Sequence, residues 1–156
     1  MIAITLTVDK KGVYREVAKT TSYTGAKMDD ANAYDRIFTT DENSEMLERF
    51  WQESRIAACN SLKRFLQSET EADGVYSLAL ELSGSYNEAL TESMQRSLFS
   101  FFVMNITAKW YTLANKNEAE GYASEAATYM EDIRRKCFYK KSPTRPKYYK
   151  AEWERV

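Results

Sequence analysis

The segment RRKCFYKKSPTRPKYYK, residues 134–150, concentrates the side chains that are best suited to binding. It holds eight Lys or Arg residues, no Asp or Glu, and both prolines of the chain. Basic and aromatic side chains interleaved in this way suit a protein surface, where aromatic residues and Arg are the usual anchors. They also suit a nucleic acid, whose phosphates attract cations and whose bases stack on aromatic rings. The residue types leave both partners open.

We predict that ten side chains in this region contact a partner. They are Arg134, Arg135, Lys136, Phe138, Tyr139, Lys140, Lys141, Arg145, Tyr148 and Tyr149. The basic residues would face acidic groups of a partner protein, and the aromatic residues would be buried against it. A solvated terminus without a partner is the plainer alternative. The aromatic residues argue against that alternative, because they lower solubility unless something covers them.

Catalytic chemistry is poorly supplied. The chain has no histidine, which removes the commonest general base and the commonest metal ligand. Two isolated cysteines cannot form a structural zinc site. The acidic pairs Asp29–Asp30 and Asp41–Glu42 lie near turns or helix starts, where carboxylates favour the helix dipole, and TGAK lacks the remaining residues of a P-loop. We therefore predict no enzyme, no catalytic residues, no metal site and no cofactor.

The length and composition fit one folded domain. The chain has 156 residues, of which 44% are apolar and 29% charged. Its longest apolar run, Leu98 to Ile106, is shorter than the ~20 residues of a membrane span. The start, MIAITLTVDKKG, lacks the pattern of a secretory signal. Cys59 and Cys137 are far apart, which favours two buried thiols in a reducing compartment over a disulfide. We expect no membrane contact and a cytoplasmic location.

Charge divides the chain into two parts. Residues 1–133 hold 13 basic and 21 acidic side chains, so the overall charge of −1 hides an acidic body joined to a basic strip of +8. An acidic body repels DNA.

Period-two alternation predicts two strands, one over residues 2–8 and one over VYSLALEL, residues 75–82. The two strands can pair with each other. A two-stranded sheet is marginal alone, so it needs helices on its face or a neighbouring subunit's strand along its edge. The edge of this sheet is therefore an expected assembly surface.

Helical periodicity covers most of the remaining chain. The segment GVYREVAKTTSYTG predicts a first helix that Gly25 ends. A capping box at Thr39 and Glu42 opens a long amphipathic helix that runs to about Gln67.

Two further helices follow the second predicted strand. Ser85 and Glu88 form another capping box, which opens a helix to about Ala114. Asn115 with Glu118 marks the start of the last helix, which has a stripe of small residues and runs to Cys137. Gly121 within that helix indicates that something packs closely there.

The predicted fold is mainly α: a helical bundle with a minor two-stranded β element and an extended basic C-terminal arm. Pro143 and Pro146 prevent helix continuation and favour an extended course. The body comprises residues 1–137 and the arm residues 138–156.

Three stretches resemble the small head-tail connector proteins of tailed bacteriophages, over about residues 23–146. The stretches are YTGAKMDD, YDRIFTTDENSEML and SLFSFFVMNITAKWYTLANKNEAEGYASEAATYMEDIRRKCFYKKSPTRP. The shared pattern is an aromatic-rich helix ending in Lys-Trp-Tyr, an Ala-rich helix and a basic run. Members of this family, also called adaptor or head-completion proteins, form a ring, typically of twelve subunits, beneath the portal. The ring continues the DNA channel toward the tail.

The resemblance implies a structural role in the virion neck after assembly in the host cytoplasm. Implied partners are copies of the chain in a ring, the portal protein, tail or neck proteins, and DNA that passes without sequence recognition. Residues 134–156 would be the arm that docks on the portal, and an acidic body would suit a channel in which DNA must not stick. The alternative is a nucleic-acid-binding accessory protein that uses the same basic tail on phosphates.

Overall fold

The computed structural model of the protein describes residues 1–27 and 44–143. The described residues form β1 (Ile2–Asp9), α1 (Lys10–Lys27), α2 (Ser44–Ser61), β2 (Leu66–Ala72), β3 (Val75–Leu82), a short 3-10 helix (Glu88–Leu90), α3 (Thr91–Ala114) and α4 (Lys116–Cys137). The fold is mainly helical with a small antiparallel sheet, which confirms the predicted class. The capping box expected at Thr39 and Glu42, and the arm beyond residue 143, lie outside the described residues.

The sheet contains three strands in the order β1-β3-β2, one more than the sequence predicts. The two expected strands, β1 and β3, pair antiparallel from Ile2 opposite Leu82 to Asp9 opposite Val75. Strand β2 occupies a stretch that was assigned partly to a helix running to about Gln67, and that assignment is wrong. Helix α2 ends at Ser61, and β2 returns to β3 through a turn in which Asp73 and Gly74 have φ values of 53° and 76°.

The helices pack on one face of the sheet and enclose the core there. Strand β3 contributes four buried side chains, which are Tyr76, Leu78, Leu80 and Leu82. Helix α3 is the central helix, as its wide apolar arc predicts, and it buries residues on nearly every turn. The ring of Phe102 lies 4.6 Å from that of Trp51 on α2 and 5.7 Å from that of Tyr76, measured between centroids. This aromatic cluster joins two helices to the sheet.

Helix boundaries follow the predicted signals in part. Gly25 does not end α1, which continues to Lys27. Asn87 rather than Ser85 caps the chain before α3: its side chain accepts a hydrogen bond from the Ala89 N–H at 3.2 Å, whereas Ser85 pairs with Ser83. Asn115 caps α4 as expected, accepting from the Asn117 N–H.

Two expectations about packing fail within the described residues. A Cβ at Gly121 would meet no atom within 4 Å, so the close packing expected there is absent. Cys137 is buried, but Cys59 is only half-buried. No helix in residues 1–27 and 44–143 has both the length and the apolar character required to cross a membrane.

Candidate functional site

The last turn of α4 carries three of the predicted binding residues, and they differ in how strongly their side chains are bound to other groups of the fold. The Lys136 ammonium donates to Asp132 at 2.7 Å and to Ser93 on α3 at 2.5 Å. Although burial raises it, the pKa of Asp132 is held below its usual range by hydrogen bonds from Lys136 and Ser97. Lys136 therefore links α4 to α3, and its ammonium group already has its partners within the chain.

Arg134 and Arg135 project into solvent on the same turn. Their guanidinium groups share the Glu131 carboxylate at 3.3 and 3.6 Å. Exposed pairs of this kind contribute only about 0–1 kcal/mol to stability. Both arginines can therefore exchange Glu131 for an acidic group of a partner at little cost.

The chain beyond α4 does not leave the body at once. Residues 139–141 run antiparallel to residues 85–87, and we call this pairing the latch. The Asn87 N–H donates to the Tyr139 carbonyl at 3.2 Å, and the Lys141 N–H donates to the Ser85 carbonyl at 2.8 Å. Tyr86 and Lys140 form the bridge between the two segments. The start of the predicted arm is thus fixed against the residues that precede α3.

Tyr86 gives the latch its attachment to the core. Its side chain is fully buried. Its hydroxyl lies 3.1 Å from both the Thr91 hydroxyl and the Met94 sulfur on α3. Because Tyr86 is buried, it anchors residues 85–87, and these in turn position residues 139–141.

A cluster of aromatic and basic side chains is exposed beside the latch. Phe138 packs edge-to-face on Phe65 with ring centroids 5.1 Å apart, and the Arg64 guanidinium lies 5.2 Å from the Phe138 ring centre. Phe138 and Tyr139 nevertheless remain 52% exposed. We call Arg64, Phe138, Tyr139, Lys140 and Lys141 the C-terminal patch. The Phe138 ring is thus restrained by its neighbours, and both aromatic side chains stay open to solvent.

The structure thus distributes the ten predicted residues unevenly. Phe138, Tyr139, Lys140 and Lys141 form the patch, whereas Arg134 and Arg135 extend from α4 and Lys136 faces inward. The other three, Arg145, Tyr148 and Tyr149, lie outside the described residues. Sequence reasoning did not select Arg64, because it lies in the segment that was predicted to be helical to about Gln67, whereas the helix ends at Ser61. The useful signal was the exposed Lys63-Arg64 pair directly preceding Phe65.

A second polar cluster, between α2 and the sheet, brings a thiol beside a carboxylate. The Cys59 thiol donates to Glu69 at 2.7 Å, and the Tyr76 hydroxyl donates to the same carboxylate. Arg55 forms ion pairs with Glu69 and Glu71 at 3.4 and 2.8 Å. Burial, and then the hydrogen bond to Glu69, raise the pKa of the Cys59 thiol. A protonated thiol is a weak nucleophile, so the geometry favours a structural link over catalysis.

The described residues also contain no group of three or more Cys, Asp or Glu side chains that could hold a metal ion. Comparison with protein-family models, with curated proteins and with solved structures finds no match to this chain.

Proposed function

We propose that the protein is an assembly subunit rather than an enzyme: a head-tail connector of a tailed bacteriophage that docks on the portal. The C-terminal patch and the segment that follows it form the docking element. The observation that supports this most is the pair of half-exposed aromatic side chains of Phe138, whose ring packs on Phe65, and Tyr139, whose backbone is fixed by the latch. The resemblance in sequence supplies the particular assembly.

Fixed aromatic side chains suit a docking element for an energetic reason. Ordering a flexible side chain at an interface costs about 0.5–1.5 kcal/mol. The latch fixes the backbone of Tyr139, and packing on Phe65 restrains Phe138, so part of that cost is met before binding. Arg64 beside the Phe138 ring, and Lys140 and Lys141, which directly follow Tyr139 in the chain, add attraction to an acidic partner and set its orientation.

The outer edge of β1 supports contact with a neighbouring subunit in a ring. The strand has no charged residue from Met1 to Val8, whereas natural monomers usually protect an edge with charges or bulges. The Thr7 N–H on this edge reaches the Gln95 side chain at 3.3 Å. Because N–H groups alternate in direction along a strand, those of Ala3 and Thr5 face the same way. β1 has β3 as its sole strand partner among the described residues, so these groups can accept another strand.

The proposed role has a specific location and set of partners. The subunits form a ring in the virion neck after assembly in the host cytoplasm, between the portal and the tail or neck proteins. DNA passes through the ring without sequence recognition.

The docking proposal is tested with the double variant Phe138→Ala/Tyr139→Ala. We expect attachment to portal-bearing heads, measured by sedimentation, to weaken at least tenfold, which is about 1.4 kcal/mol. The matched control is Ile56→Ala/Leu113→Ala, which removes two large apolar side chains that are 61% and 65% exposed elsewhere on the body. Equal loss in both variants, or no loss in the first, would contradict docking through the patch.

Particles assembled without the protein test the connector role itself. We expect electron microscopy to show filled or leaking heads that lack tails. Normal tailed particles would exclude the role. A different set of results would favour the nucleic-acid accessory alternative. Attachment would survive loss of the aromatic rings but fail when Lys140 and Lys141 become Gln, and DNA binding would depend steeply on salt.

A further inference from the structure

Helix α1 carries a row of exposed cations that the net charge of the body conceals. Lys11, Arg15 and Lys19 are four residues apart, and all three are exposed. This spacing places neighbouring side chains on one face of the helix, about 5–6 Å apart at Cβ. We call these three residues the α1 row. The acidic character expected of the body is therefore not uniform over its surface.

Among the described residues, the α1 row makes little contribution to the fold. Lys11 and Arg15 form no hydrogen bond or ion pair with the residues that the structure describes. Lys19 lies 3.4 Å from Glu16 in a pair whose members are both well exposed, which makes it weak. The adjacent Lys10 behaves differently: it turns inward to Glu48 and Glu71 on neighbouring elements.

The helix beneath the row is held firmly. Val13, Val17 and Thr21, on the opposite side of α1, are fully buried. Tyr14 packs edge-to-face on Trp51 of α2 and donates a hydrogen bond to Glu48 at 3.0 Å. The three cations are therefore presented at a fixed spacing on a rigid support.

The surroundings of the row indicate the chemistry of its partner. No large apolar side chain is exposed on α1 between Lys10 and Thr21. Protein interfaces normally have aromatic or aliphatic anchors at their centre, and the row has none. A nucleic-acid backbone requires none, since its phosphates are neutralised by Lys and Arg alone. The acids nearest in sequence are Asp9 and Glu16, which leave the row with an excess of positive charge.

We propose that the α1 row binds the phosphate backbone of double-stranded DNA without reading its sequence. The inference does not rest on the connector role, because an isolated subunit presents the whole row. In a connector ring it would mark the face of each subunit that meets the DNA.

The test compares charge-matched variants of the full chain. The row variant is Lys11→Gln/Arg15→Gln/Lys19→Gln, and the control is Arg49→Gln/Arg96→Gln/Lys116→Gln, which removes the same charge from exposed positions on other helices. Binding to a short fluorescein-labelled duplex is measured by anisotropy between about 50 and 200 mM salt. We expect the row variant to lose affinity, and the slope of log affinity against log salt to become shallower by about 2.7, since each contacted phosphate contributes about 0.9. The control should retain most of the affinity.

Several results would overturn the proposal. They are absence of duplex binding by the unsubstituted chain at the lowest salt, equal losses in the row and control variants, and preferential binding of an acidic polypeptide over the duplex. A fourth is loss of binding in Lys140→Gln/Lys141→Gln/Arg145→Gln while the row variant binds normally, which would assign the DNA to the C-terminal region. Portal attachment by the row variant should stay unchanged, so failure here is distinguishable from failure of the docking proposal.

Discussion

The C-terminal patch and the α1 row are both cationic surfaces, but they are built differently. The patch combines cations with two half-exposed aromatic rings and lies outside the regular elements, where the latch holds it. The row contains cations alone and lies on a helix whose opposite side is buried in the core. The difference teaches that positive charge by itself does not identify a partner. The apolar groups beside the charge, and the element that supports it, are the reasons for proposing a protein partner for the patch and a phosphate partner for the row.

The two surfaces also differ in how strongly they are supported. The patch is held by the two backbone hydrogen bonds of the latch and by the contact of the Phe138 ring with Phe65, whereas α1 is supported by the buried side chains of Val13, Val17 and Thr21. Segments with few buried contacts open at low free energy. We therefore expect the patch to open at a lower free energy of local unfolding than α1 does in the unbound chain.

The largest expected effect on stability concerns Cys137, the residue that directly precedes Phe138 of the C-terminal patch. Burial raises the pKa of the Cys137 thiol to about 12, far above the ordinary value of about 8.5. Between these values only the unfolded chain releases the proton. The stability linked to this thiol is therefore complete below about pH 8.5 and falls by about 1.4 kcal/mol for each pH unit above it.

Urea unfolding of the protein and of Cys137→Ala between pH 7 and pH 10 checks this expectation. The two proteins should lose stability at different rates above pH 8.5, with the variant less sensitive. All other ionisable side chains are common to both proteins, so the difference between the two curves reports on Cys137. Parallel curves of stability against pH would mean that the Cys137 thiol is open to water. The patch would then be even less well supported than the α1 row.

A smaller effect is expected from the ring that joins the patch to the body. Phe138→Ala removes the edge-to-face contact with Phe65 and should lower the free energy of unfolding by about 1 kcal/mol, since such pairs contribute about 0.5–1.5 kcal/mol. Tyr139→Ala is the matched comparison, because Tyr139 has the same exposure. We expect a smaller loss for Tyr139→Ala in the same urea titration. If the order were reversed, Tyr139 rather than Phe138 would anchor the patch.

The smallest effect is expected from the row. Substituting Lys11, Arg15 and Lys19 by Gln should change the free energy of unfolding by no more than about 0.5 kcal/mol, as is usual for exposed positions. Thermal unfolding followed by circular dichroism is sufficient to measure it. A loss of unfolding free energy several times larger would show that the row stabilises the fold, which would contradict its assignment as a surface used only for binding.

Regular patterning made much of the fold predictable. The alternating residues of β1 and β3, and the helical stripes of α3 and α4, are set by burial of one face, which leaves a strong signal in sequence. Strand β2 has no such signal, because LQSETEA is an edge strand whose residues are mostly exposed. Leu62 and Phe65 matched the helical spacing of α2, although they lie in the turn that follows it.

The candidate surfaces were predictable to a smaller extent. The aromatic and basic residues of the patch could be selected by residue type. The latch could not be predicted, because it depends on backbone pairing between segments far apart in sequence, and side-chain patterns do not reveal such pairing. Arg64 joins the patch through that same long-range placement. The α1 row was visible as a spacing of four, yet net charge summed over 133 residues concealed it. Local charge, considered with the buried face of the helix, is the better guide.

The most direct test of two surfaces with two partners is a co-sedimentation measurement. Portal-bearing heads without DNA are decorated with the protein, and an excess of labelled duplex is added. If the patch binds the portal and the row binds DNA, as proposed, the duplex sediments with the decorated heads while the protein stays attached. Release of the protein from the heads by the duplex would show that one surface serves both partners and would contradict the account.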